Sequence, residues 1–303
     1  MSNHFFYYWL IEPKVVSEKS KAKYLKYVLR YLFRWKYNYA WVKFLDSSNE
    51  IKILKTAYGS DFYLKIQQPL VSGHLSFQQK YEYLKEHYQW FFNNFNVHHY
   101  DQEGLLLWSS QIELDDEVQN FELYFKYKGP FVTEGECALV LKVNDDVQYT
   151  LSFMHVLQSA SPTFFIGGLQ AGNQDVTSPE LLKKMTKAMY GLRPKQFMIQ
   201  AISAFADFYQ VKNLIGVSNE NHAFQSSRRK SKRARVKTNL DEFWLDFSSE
   251  LTFEGNFYFR PLSHVINLDE IQSKKRSQYR KRQVILNDFV QQCQKNLISA
   301  KNN

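Results

Sequence analysis

The apolar positions of this 303-residue chain change period along its length. Between residues 17 and 45, Leu25, Val28, Leu29 and Leu32 fall at i, i+3, i+4 and i+7. They form one stripe of a helix, and Lys19, Lys21, Lys23, Lys26, Arg30 and Arg34 occupy the rest of it. Phe77, Tyr81, Leu84, Tyr88 and Phe91 predict a second helix over residues 76–94. From Gly104 the runs shorten. Leu105–Leu107, Phe121–Tyr127, Ala138–Val143, Val147–Val156 and Thr163–Leu169 read as strands, at least three of them consecutive and antiparallel. Asn144-Asp145-Asp146 supplies a hairpin turn. Ser178 as N-cap and Pro179 at the first helical position open a helix that stops near Tyr190-Gly191, and Pro194 starts another that reaches Tyr209. Asn213–Val217 and Phe257–Arg260 read as strands, Asp241–Phe247 as a helix or turn, and Glu270–Ile298 as a C-terminal helix.

This order predicts an α+β protein: a helical N-terminal region over residues 1–103, then an α+β domain over 104–303 with a mixed, largely antiparallel sheet. No internal repeat is visible. Aromatic residues make up 17% of the chain, enough rings for a large core, while 11 glycines and 7 prolines are too few for collagen-like or low-complexity sequence. The two cysteines, Cys137 and Cys293, make neither a disulfide framework nor a CxxC pair, and no histidine has metal-ligand spacing to them, so no metal is expected. The apolar run FFYYWL at residues 5–10 is too short for a secretory signal, and no run approaches the ~18 apolar residues of a spanning helix. The cytoplasm is the expected location, with peripheral contact at the inner membrane as an extension of it.

Charge changes that picture. Arg228–Lys237 carries seven basic residues in ten and Lys274–Arg282 six in nine, with no acid in either window. The formal net charge of +9 is therefore local, because the remainder holds 26 basic against 30 acidic residues. Such clusters suit an anionic membrane surface, a phosphorylated small molecule or nucleic acid. Nucleic acid ranks last, since no helix-turn-helix, zinc-finger or RNA-recognition signature accompanies the charge. The basic helix near Lys19–Arg34 reads first as a core helix with a basic outer face, and second as a helix lying on an anionic bilayer.

Three segments could carry chemistry. Gly191 can take a left-handed turn, and Arg193 and Lys195 flank the helix start at Pro194, the outline of an anion site. Gly167 and Gly168 in the run FFIGGLQAG, with Gln170 beyond them, mark a bulge or a close backbone approach to a ligand or to a packed neighbour. Glu134-Gly135-Glu136, and Val217-Ser218-Asn219 with His222, place carboxylates and a histidine near strand ends, where Glu136 and His222 are candidate acid–base residues and Asn219 a candidate holder of a catalytic water. No Walker A, GxGxxG, GxSxG or HExxH pattern is present.

These segments, together with Leu151-Ser152-Phe153, Phe165–Gln170, Gly191–Lys195, Asp241–Trp244 and Lys274–Arg280, occur in one order over about residues 104–291. The chain there resembles the VirK/YbjX family of bacterial proteins, the domain of unknown function 535. Ala171, Tyr190 and Leu240 depart from the family pattern, which expects glycine, histidine and tyrosine there. The resemblance implies a Gram-negative protein linked to virulence, envelope stress and antimicrobial-peptide resistance, and it brings no defined reaction. The element order is also similar to the GNAT N-acyltransferase fold. By that analogy a pantetheine arm of acyl-CoA or an acyl-carrier protein would lie beside Gly167, Gly168 and Gln170. Gly191, Arg193 and Lys195 would hold the pyrophosphate, and Glu136, His222 or a water on Asn219 would act as base. The usual RxxGxG/A loop between strand and helix is missing. The second reading is a non-enzymatic protein that binds anionic lipid through its basic elements.

Overall fold

A computed structural model of the protein describes residues 21–58, 60–99, 104–172, 177–225, 239–248, 250–252 and 254–302. Its centre is a seven-stranded sheet in which sequence order is also spatial order: β1 Leu105–Leu114, β2 Glu117–Lys126, β3 Cys137–Val143, β4 Asp146–Gln158, β5 Ser161–Ala171, β6 Asn213–Gly216 and β7 Phe257–Phe259. All neighbours are antiparallel except β5 and β6. Two-residue turns with both φ positive close three hairpins, at Asp115-Asp116, Asn144-Asp145 and Ser159-Ala160. Their twist matches that of the flanking strands. The parallel return from β5 to β6 needs a crossover, which α6 (Pro179–Ala188) and α7 (Pro194–Phe208) provide.

Among the described residues, five α-helices precede the sheet: α1 Lys21–Phe33, α2 Trp35–Leu45, α3 Asn49–Tyr58, α4 Ser60–Leu64 and α5 Phe77–Asn94. The helix expected over 17–45 is thus two, meeting at Arg34. The Ser76 capping box fixes the start of α5. That helix enters the sheet's own hydrogen bonding. β3 begins at Cys137, opposite Phe153, while β4 continues to Gln158 and leaves edge amides bare. His87 Nδ1 accepts the amide of His155 at 3.2 Å and Glu86 Oε2 that of Leu157 at 2.9 Å, so helix side chains replace the missing strand. One hydrophobic cluster runs from Tyr27 to Leu297 across this junction. Both sides of residue 103 contribute to this one cluster.

Alternation gives successive β5 side chains different neighbours. Phe153 and Phe164 meet Phe205 of α7, whereas Phe165 meets Tyr83 of α5. The long α9 (Ser273–Asn302) guards the edge strand β1. Gln292 exchanges hydrogen bonds with both backbone groups of Ser109, and Asn296 donates to the carbonyl of Leu107. A short helix, α8 (Leu240–Leu245), lays the Trp244 ring over the bare Cα of Gly216, and its indole N–H donates to the Val217 carbonyl at 2.9 Å. The core stripe expected on α1 is reversed: Tyr27 and Tyr31 are buried, while Leu25, Leu29 and Leu32 are exposed. The basic segment 228–237 lies outside the described residues.

Candidate functional site

The parallel strands part company early. β6 ends at Gly216, opposite Ile166, while β5 runs on to Ala171. Two loops meet in the space so opened. After β6 the chain turns through Val217–His222, and His222 bridges to Ser72 while the amide of Gly73 donates to the Asn221 carbonyl at 2.7 Å. Val71, buried and β-branched, holds φ at 43° in a tight turn closed by the Ser72 amide on the Leu70 carbonyl. A β-branched residue rarely takes that conformation, and such strain collects at functional sites.

The turn at Glu134-Gly135-Glu136 presses into the same space. A side chain at Gly135 would overlap the Phe153 backbone, one at Gly167 the Glu134 carbonyl, and one at Gly168 the Glu134 carboxyl. The close approach read from the FFIGGLQAG glycines is real. What approaches is this chain's own Glu134.

Glu134 is fully buried, and burial pushes its carboxyl up to about 8 against the hydrogen bond from Gln170. Oε1 accepts from the Gln170 amide and lies 3.6 Å from His222 Nε2. Burial also pushes His222 down to about 4. Both groups are therefore neutral near pH 7, so their 3.6 Å contact is not an ion pair. The Phe224 amide donates to His222 Nδ1 at 3.3 Å, which leaves the ring proton on Nε2, aimed at Glu134. With Oε1 so occupied, the carboxyl proton belongs on Oε2, which is buried and has no partner. Half-buried Gln170 continues this arrangement toward the surface.

The other candidate residues have different surroundings. Glu136 is gripped by Lys65 Nζ at 2.9 and 2.7 Å and by the Tyr88 hydroxyl. Burial pushes its carboxyl up, but Lys65 and His87 outweigh burial and hold it below the usual range. It ties the N-terminal helices to the sheet. Asn219 accepts from the amide of Leu240 at 2.9 Å and donates to Asn239 at 2.7 Å, which fastens α8 and commits both side-chain atoms. The corner at Gly191 forms as expected, with φ 79° and Pro194 opening α7. The basic face of α9 joins it: Arg282 donates to the Tyr190 carbonyl at 3.0 Å. Arg193 is exposed, and half-buried Lys195 sits 5.7 Å over the Phe243 ring. This corner does not share a pocket with the glycines. α7 lies on the Phe164 face, whereas Gly167 continues the Phe165 face toward Val71 and Glu134, so the sheet stands between.

Sequence reasoning missed Ser72, Val71, Lys65 and Tyr88, which reach the site or its support from the N-terminal helices. A cysteine–histidine pair also came together unannounced, with Cys137 Sγ 3.8 Å from His87 Nε2. It is no nucleophile–base pair. His87 Nδ1 already accepts the His155 amide, so Nε2 carries the proton and points it at the sulfur. Burial raises the Cys137 thiol well above its usual value and depresses His87 to about 3. Among the described residues, no group of three His, Cys, Asp or Glu could hold a metal.

The fold is thus an α+β, mostly antiparallel sheet with one parallel step, and Glu134 and His222 sit where that step opens. The family model described as protein of unknown function (DUF535) matches residues 17–295, and the chain belongs to that family. The match takes in the N-terminal helices as well as the sheet. Among relatives, the chain is 26% identical over 271 residues to the uncharacterized protein YbjX of Escherichia coli K12, covering 88% of this chain and 80% of that one. It is 30% identical over 194 residues to an uncharacterized protein of Haemophilus influenzae, covering 63% of this chain and 60% of that one. A shorter match, 26% over 111 residues, is to the membrane protein LapB of Mannheimia haemolytica, covering 37% of this chain and 48% of that protein. No solved structure matches the chain.

Proposed function

We propose that the chain is an acyltransferase whose acid–base residue is Glu134, acting on an amine acceptor and an acyl thioester donor, acyl-CoA or an acyl-carrier protein. The observation that carries this reading is the buried Glu134 carboxyl, held near pH 8 with one oxygen unpartnered. A group poised so close to neutrality can both take and return a proton.

The strand geometry supports the choice of donor. Beyond Ile166, β6 offers β5 no ladder partner, so a strand edge lies beside the carboxyl. The two amides of a pantetheine arm can pair with such an edge as an added strand would. In the reaction, the ionised form of Glu134, whose share grows as pH rises toward about 8, takes a proton from the ammonium form of the acceptor. The freed nitrogen lone pair attacks the thioester carbonyl carbon, and the C–S bond breaks with its electron pair on sulfur. The second nitrogen proton ends on the leaving thiolate. His222 keeps its own proton throughout and steadies the charged carboxylate through Nε2–H. The comparison with GNAT enzymes enters here as an analogy of element order and no more.

The test is transfer from a panel of acyl-CoAs and acyl-carrier proteins to amines, read by mass spectrometry, with calorimetry for donor binding. Glu134→Gln keeps the hydrogen bond to Gln170 and is expected to lower kcat by roughly 10²-fold or more with donor affinity retained. Wild-type protein that neither binds nor turns over any thioester, or a Glu134→Gln variant of undiminished rate, refutes the proposal.

A further inference from the structure

The first helix carries its apolar face outward. In α1, Leu25, Leu29, Leu32 and Phe33 are 59%, 48%, 41% and 82% exposed, while Tyr27 and Tyr31 on the opposite side are buried against the body of the protein. At 3.6 residues per turn the four exposed residues fall within an arc of about 100°. Lys26 and Arg30, both exposed, border that arc on one side, and exposed Arg34 and Lys36 follow at the junction with α2. No acidic residue occurs between Lys21 and Leu45, where seven basic residues do. The helix is therefore amphipathic twice over. One stripe is spent on the core, and a second faces solvent with cations along one border and at its C-terminal end.

We propose that this second stripe of α1 docks the protein on an anionic lipid surface. A bilayer interface takes what the helix offers, leucine and phenylalanine side chains inserted below the headgroups with lysine and arginine beside the lipid phosphates. A second copy of the chain fits less well. A twofold contact through this stripe would bring Lys26 and Arg30 of one copy near those of the other, with no acid on the segment to balance them. The attachment is peripheral, since no helix among the described residues is long and apolar enough to cross a membrane. It shares no residue with the Glu134 site and does not depend on the acyltransferase reading.

The test uses the full chain in flotation with vesicles of phosphatidylcholine alone, and of phosphatidylcholine with phosphatidylglycerol in a two-to-one ratio. Three proteins are compared: wild type, the double variant Leu29→Glu/Phe33→Glu, and a variant with the basic residues of 228–237 replaced by serine. The substituted leucine and phenylalanine are exposed, and a thermal melt confirms that the double variant folds. Wild type is expected to float only with the anionic vesicles and to release as salt rises, and the double variant to bind at least about tenfold more weakly. The proposal is overturned if the double variant floats as wild type does, or if binding is lost only when the 228–237 charges are removed. It is likewise overturned if wild type ignores both vesicles, including the case where it forms a dimer that the double variant does not, which would make a second copy the occupant.

Discussion

The Glu134 carboxyl fills the space that a side chain at Gly168 would need, and the Glu134 carbonyl does the same at Gly167. The two glycines are thus not equivalent. At Gly168 the obstacle is the far end of a side chain, which can swing aside. At Gly167 it is backbone, with the Val71 Cα close behind. Gly168→Ala is expected to fold with a loss of about 1–3 kcal/mol and to dislodge Glu134, whereas Gly167→Ala costs more, through displacement of the whole 134–136 turn. Urea unfolding of both variants checks the order, and the reverse order would contradict this packing.

The pH dependence of stability has two arms with different owners. His222 is depressed from 6.5 to about 4 in the folded protein, and His155 to about 4 likewise. The unfolded chain then binds more protons than the folded one between those values, so stability falls as pH drops below about 6.5. Glu134 is raised from 4.5 to about 8. Its contribution is fully present below 4.5 and is lost as pH rises through about 8. Glu134→Gln removes only the second arm. Relative to wild type, the variant is expected to gain about 1–3 kcal/mol between pH 5 and pH 9, with the acid arm unchanged. Chemical denaturation across that range measures both arms.

Much of this was legible in the sequence, and what was not has physical causes. Alternation and turn residues located the strands from β2 onward, and Ser178-Pro179 and Pro194 marked two helix starts correctly. β1 runs past Leu107 to Leu114 because Asp115-Asp116, with positive φ at both residues, makes a hairpin that the apolar pattern does not mark. The Ser159-Ala160 turn gives even less signal, since neither residue favours that conformation. On α1 the apolar stripe was read from its period, yet period alone cannot say which of two apolar faces meets the core, and the tyrosines took that place. At the site, EGE announced two carboxylates. Which of them stays without a cationic partner depends on Lys65, distant in sequence, so local pattern could not favour Glu134 over Glu136.

The buried ion pair gives a sharper test of how the N-terminal helices are held. Lys65→Met leaves the Glu136 carboxylate buried without its ion-pair partner, the Tyr88 hydroxyl still donating to it, and is expected to cost about 3–5 kcal/mol. Adding Glu136→Gln removes the charge but keeps an acceptor for Tyr88. The double variant should therefore be more stable than Lys65→Met alone. Urea midpoints decide this, and additive losses would show that the two side chains do not act as a pair.

The thiols complete the argument against cysteine chemistry. Cys137 is fully buried, Cys293 is almost so, and burial pushes the Cys293 thiol up to about 12. Cys137 would need a base to become a nucleophile. The neighbouring His87 ring has its only lone pair committed to the His155 amide and offers the sulfur a proton instead of taking one. Native protein is therefore expected to react with a thiol-specific disulfide reagent only as fast as it unfolds, with both thiols appearing together in urea. Cys137→Ala should leave any thioester-dependent activity intact while costing about 1 kcal/mol or more in stability, through the small cavity it opens beside Tyr127 and His87. Rapid labelling of Cys137 in the native state, or loss of activity with Cys137→Ala at unchanged stability, would move the chemistry from Glu134 to the sulfur.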